Sequence, residues 1–122
     1  TYAQEREQFG VPIGSFQRVQ DVIIDMDITL EQGLTWLIDL TKRYDDNTLD
    51  RESAAKVKIE CSRKASEHMT MAMEICGGVS SLDEFGLTRH HRDLFVCRVG
   101  EGSNFALKGF ATRPLMPDIT LQ

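Results

Sequence analysis

The chain is short of most residues that would narrow its chemistry at once. Its three cysteines, Cys61, Cys76 and Cys97, form no CxxC pair. That disfavours a disulfide framework or a zinc site and points to buried free thiols in a reducing compartment. His90 and His91 are neighbours, so on a helix their rings diverge, and no metal site is expected. No apolar run reaches the roughly 20 residues that a membrane span needs, and no segment reads as a signal peptide. The formal net charge of −5 leaves no broad basic face for nucleic acid. Sustained strand-like alternation and internal repeats are also missing. What is present is a globular balance, with 41% hydrophobic residues and charges of both signs, enough for one small domain over residues 1–122.

The periodicities predict helices. Residues 1–9 are good helix formers and read as a helix already under way, broken by Gly10, Pro12 and Gly14. Ser15 is a candidate cap for a second helix. Its apolar stripe contains Phe16, Val19, Ile23, Met26, Leu30, Leu34, Leu37 and Tyr44, at spacings of three and four. Val22, Ile24 and Ile38 widen the stripe, as expected for a helix with neighbours on more than one side. Residues 45–48 end it. Asp50 then caps a third helix, with Leu49 as a staple residue. Ala54, Val57, Cys61, Ala65, Met69, Ala72 and Cys76 share one face of it, and their small side chains permit close packing. Gly77 and Gly78 stop it where a left-handed residue is wanted. Residues 81–84 fit a capping box, Thr88 is a candidate cap for a segment through Cys97, and a last helix covers residues 103–112. Pro114 and Pro117 close it and leave an extended tail. The fold class expected is all-α, an antiparallel up-down four-helix bundle. Trp36 is expected at a buried inter-helix or inter-subunit contact, and Arg92-Asp93 as an ion pair within the bundle.

Between the last two helices stands Gly100-Glu101-Gly102, a lone carboxylate flanked by glycines and followed by Ser103. An ordinary surface turn has this composition. It is also a place where an acid can meet a flat reactant at close range, because neither glycine crowds it.

Several fragments fall in one order: Glu5-Arg6-Glu7-Gln8-Phe9-Gly10, Phe16-Gln17, Ile75-Cys76-Gly77-Gly78, Arg92-Asp93 and Glu101-Gly102-Ser103. This order resembles the C-terminal helical domain of the FAD-dependent acyl-CoA dehydrogenases, over nearly the whole chain. The resemblance implies α,β-dehydrogenation of an acyl-CoA thioester, the α-hydrogen leaving as a proton and the β-hydrogen as hydride to the flavin, with electrons passed on to an electron-transferring flavoprotein. It implies a homodimer or homotetramer in the cytoplasm, or in the mitochondrial matrix of a eukaryote. The N-terminal and middle domains of that family have no counterpart here, so the isolated domain is expected to be inactive.

By the same resemblance Glu101 is the base that removes the α-proton. A carboxylate suits that role when burial beside flavin and acyl chain raises its pKa towards working pH. Gly100, Glu101 and Gly102 would line the substrate site, with the Glu101 N–H on the thioester carbonyl. FAD contacts would come from Arg6 on the diphosphate of a neighbouring subunit's cofactor, Phe9 as an aromatic wall of that site, and Gln17. Gly77 and Gly78 would allow close backbone approach, and Ser103 would keep a hydroxyl near the cofactor. The catalytic assignment within this chain requires Glu101 close to the Gly77-Gly78 edge; an acid far from it, facing water on the opposite side, would lose that assignment while leaving the bundle intact. Without the family pattern, Arg6 reads as an exposed helix-end arginine paired with Glu5 or Glu7. Four positions depart from the family pattern: Gly100 stands for an aromatic residue, Glu74 and Phe105 for glutamines, and Gln8 for a threonine-like residue. These departures keep open an alternative, a flavin-free structural or oligomerisation subunit of the same fold.

Overall fold

The computed structural model describes residues 2–117. Short α1 (Tyr2–Glu5) leads into a two-stranded hairpin, β1 (Glu7–Gln8) and β2 (Val11–Pro12), paired antiparallel with Gln8 opposite Val11. A 3-10 turn (Ile13–Ser15) precedes the long helices α2 (Gln17–Asp45) and α3 (Arg51–Cys76). Two 3-10 turns (Gly77–Ser81 and Asp83–Phe85) connect to α4 (Leu87–Val99) and α5 (Asn104–Thr112). The four helices α2 to α5 make the bundle expected from the sequence.

The predicted helix boundaries hold at the 45–48 turn, at Asp50 and at Gly77, each for a local reason. Asp50 accepts a hydrogen bond from the Ser53 N–H at 2.6 Å and starts α3. Its carboxyl is held down at about 2, chiefly by the Ser53 hydroxyl, then by the Ser53 N–H and by Arg43. Arg43, near the end of α2, also pairs with Asp50 and so ties one long helix to the next. Asn47 turns the chain with φ 57°, and the Thr48 N–H returns to the Arg43 carbonyl at 2.8 Å. Gly77, at φ 65°, ends α3. Ser103 caps α5 by accepting from the Ala106 N–H at 3.3 Å.

Other expectations need correction. The N-terminal helix stops at Glu5 rather than continuing to residue 9, because the chain folds back through a Phe9-Gly10 turn in which both residues have positive φ, 55° and 80°. That is the hairpin turn whose twist matches paired strands. Ser15 does not cap α2; its hydroxyl donates to the Pro12 carbonyl at 2.6 Å instead. No side chain caps α4, which starts after left-handed Gly86 rather than at Thr88. The Ser81 hydroxyl donates back to the Gly78 carbonyl at 2.8 Å within the 3-10 turn, so residues 81–84 form no capping box. The Arg92-Asp93 pair is on the surface, with Arg89 sharing the aspartate. The tail beyond Pro117 lies outside the described residues.

Helix α3 is the hub. Its Val57–Cys61–Ala65 side faces α2, where Gly33 lets the backbone approach the Cys61 Sγ. Its Ala55–Ser62–Ser66 side faces α4 and α5 and contains the buried Ala55 and Ser62. The second side was not evident from the apolar stripe. The buried apolar residues Ile13, Ala55 and Ala111 are few, and α2 buries none. Leu30, Trp36, Leu37 and Ile38 remain about half exposed, along a groove of about 850 Å³ between α2 and α3 that all but Ile38 line. Trp36 is therefore not buried within the chain. Cys61 and Cys76 are half-buried free thiols, their pKa pushed up mainly by burial, whereas Cys97 is exposed.

Candidate functional site

The predicted site residues fall into two groups at opposite ends of α3. One group gathers at its C-terminal end. The Tyr2 hydroxyl donates to the Cys76 carbonyl at 3.1 Å, and the Tyr2 ring meets Phe85 edge-on at 5.3 Å. These contacts anchor α1, and with it the hairpin, beside Gly77 and Gly78. Gly14 completes the anchor, since a Cβ there would come within 2.9 Å of the Ala3 carbonyl oxygen. Arg6 follows α1, its N–H bonded to the Tyr2 carbonyl and its own carbonyl receiving the Ile13 N–H, both at 2.8 Å. Among the described residues its guanidinium forms no ion pair, so the Glu5 or Glu7 partner is not found. Phe9 sits at the hairpin tip, 93% exposed and edge-on to Phe16 at 6.2 Å. Left-handed backbone costs a non-glycine residue about 1–2 kcal/mol, and here it presents an aromatic ring outward. Gln17 is exposed at the first turn of α2.

The two glycines of this group differ. Gly77 is explained by its positive φ at the helix stop. Gly78 has no positive φ, and a Cβ there would meet nothing within 4 Å. Among the described residues nothing requires Gly78 to lack a side chain. An exposed guanidinium, an exposed aromatic face and a bare stretch of backbone at one end suit a flat, phosphate-bearing ligand.

The second group is the α4–α5 turn. Gly100 ends α4 with extended backbone, and a Cβ there would sit 3.1 Å from the Val96 carbonyl oxygen. Glu101 and Gly102 both have positive φ, 53° and 93°. The exposed acid therefore stands on a left-handed backbone that the surroundings must hold. Among the described residues its N–H has no acceptor in the chain and is free to donate outward.

What holds the turn is Lys58 of α3. Its Nζ donates to the Gly102 carbonyl and to Asn104 Oδ1, each at 2.8 Å, and to the Arg98 carbonyl at 3.3 Å. Asn104 Nδ2 in turn donates to the Ser62 Oγ at 3.0 Å. Lys58, Ser62 and Asn104 were missed in the sequence. A lone lysine in a helix reads as solvated surface, and two of its three acceptors are backbone carbonyls that leave no trace in residue type.

Lys58 lies 18 positions before Cys76, the last residue of α3, about 27 Å along the axis at the helical rise per residue. Glu101 is therefore not beside the Gly77-Gly78 edge of its own chain, contrary to expectation. Within one chain the expected juxtaposition behind the catalytic assignment is not met: the acid and the Arg6 group lie towards opposite ends of α3.

Residues 1–113 match the family described as acyl-CoA dehydrogenase, C-terminal domain. Among solved structures, the FAD complex of PigA is 33% identical with a TM-score of 0.87, over 93% of this chain and 30% of that one. Glutaryl-CoA dehydrogenase from Mycobacterium smegmatis is 26% identical with a TM-score of 0.93, over 99% of this chain and 31% of that one. Butyryl-CoA dehydrogenase from Megasphaera elsdenii is 26% identical with a TM-score of 0.90, over 94% and 30% respectively. The chain thus spans 30–31% of the length of these relatives. No helix among the described residues is long and apolar enough to cross a membrane.

Proposed function

The chain belongs to the acyl-CoA dehydrogenase family, matching its C-terminal domain, and from that premise we propose that it contributes the proton-abstracting base of an FAD-dependent α,β-dehydrogenation of an acyl-CoA thioester. The observation that carries this reading is the α4–α5 turn: an exposed carboxylate on a left-handed backbone, next to an unused N–H and flanked by glycines. Bound FAD supplies the oxidant for this chemistry. The work of the chain is positional. Glu101 accepts the α-proton, and its N–H donates to the thioester carbonyl, favouring charge that develops there as the proton leaves.

The Arg6, Phe9, Gln17, Gly77 and Gly78 group suits the diphosphate and ring of FAD, and Ser103 adds a hydroxyl next to the acid's turn. The separation of the two groups supports a site shared between copies. In this reading one copy gives Glu101 and another gives Arg6 and Gly78, in a homodimer or homotetramer. An electron-transferring flavoprotein is the proposed electron acceptor.

A second reading, a flavin-free assembly subunit, draws on the half-exposed apolar side of α2 and on Glu74, exposed where the family pattern has glutamine. Flavin absorbance separates the two. Full-length protein is expected to purify yellow, or to take up added FAD, and Glu101→Gln is expected to abolish turnover with FAD retained. Colourless protein that FAD does not restore supports the assembly subunit, and unchanged turnover in Glu101→Gln removes the acid from the mechanism.

A further inference from the structure

We infer that Lys58 is a positioning residue for the base: its ammonium clamps the α4–α5 turn from both sides and so fixes where the Glu101 carboxylate stands. The inference rests on the proposed role of Glu101. The clamp is built across chain positions far apart. Lys58 reaches from α3 to the Arg98 carbonyl before Glu101, and to the Gly102 carbonyl and Asn104 side chain after it. An ammonium has three donors, and three acceptors converge on this one. The last carbonyls of α4 have no partner within their own helix, and a cation at a helix C-terminus is favoured by the helix dipole. Asn104 is itself held by Ser62 at 3.0 Å, and Ser62 is buried, so the clamp is referred to the rigid interior of α3.

Two consecutive residues with positive φ lie inside this span, Glu101 at 53° and Gly102 at 93°. Without the ammonium, three acceptors lose a donor and the turn is free to relax towards ordinary angles, moving the carboxylate. A displacement of about 1 Å at a reacting group costs on the order of 100-fold in rate.

The test uses the full-length flavin-loaded protein. Lys58→Met keeps the aliphatic stem and removes the three bonds; Asn104→Ala removes one of them. The readouts are the single-turnover rate of flavin reduction by acyl-CoA, the FAD content and the substrate Kd. Lys58→Met is expected to slow reduction by on the order of 100-fold, with FAD content and Kd changed less than about 3-fold. Asn104→Ala is expected to fall between it and wild type. If Lys58→Met does not fold, Asn104→Ala carries the test. Wild-type rates in the variants overturn the inference. So does a loss of rate that merely tracks loss of flavin or substrate binding, since that marks a structural lysine. Glu101→Gln, measured alongside, separates the two claims: if it is inactive while Lys58→Met reduces normally, only the clamp is refuted, and if it is active, both are.

Discussion

Replacing Gly102 by alanine probes the turn that carries Glu101. At φ 93° the backbone is in a region that alanine rarely adopts, which costs about 1–2 kcal/mol. The new Cβ would lie 3.4 Å from Leu107 Cδ2, an ordinary contact with a side chain that can shift, so the backbone cost dominates. With a urea dependence of about 2 kcal/mol per M, the unfolding midpoint of the chain is expected to drop by about 0.5–1 M. Gly86 supplies the comparison, with φ 76° and nothing within 4 Å of a Cβ. Gly86→Ala is expected to lose a similar amount of stability. The two should part in flavin reduction by the full-length protein. Gly102→Ala slows it at least about 10-fold because the acid moves, and Gly86→Ala does not. A midpoint for Gly102→Ala within about 0.1 M of wild type would show that the turn does not enforce its angles. Equal slowing in both variants would show that stability loss, not placement of the acid, sets the rate.

Two further outcomes follow from other parts of the molecule. A Cβ at Gly78 meets no atom within 4 Å and its φ is not positive, so Gly78→Ala should change stability by less than about 0.5 kcal/mol. FAD affinity of the full-length protein, read by flavin fluorescence, should fall at least about 10-fold, and unchanged affinity would exclude backbone approach at this point. Asp50 tests acid stability. Its folded pKa of about 2 lies below the ordinary 3.8, so its contribution is present above about 4 and is lost as pH falls through 2. Asp50→Ala should remove that part of the acid-unfolding profile, and an unchanged profile between pH 4 and 2 would show that the cap carries no such linkage.

Helix ends were legible where one residue type does one job. Asp50 and Gly77 could be read because a cap needs an acceptor side chain and a stop needs a positive φ, whereas Ser103 was expected inside α5 and is its cap. The hairpin was not legible, because its two-residue turn carries Phe9 where asparagine or aspartate would signal it. Ser15 and Thr88 misled for the opposite reason: hydroxyls at plausible cap positions, one of which bonds elsewhere while the other makes no cap. At the site, Glu101 stood out by its glycine neighbours. The distance between it and Gly78 could not be read from order alone, since it depends on α4 and α5 folding back to the Lys58 level of α3. Lys58 itself was hidden because what it binds is mostly main chain.

The most direct measurement is single-turnover flavin reduction by acyl-CoA in the full-length, FAD-loaded Glu101→Gln protein, monitored against wild type under identical substrate. With this acid as the base, the variant keeps its flavin, binds substrate and leaves the flavin oxidised. Bleaching at the wild-type rate would contradict the assignment of Glu101.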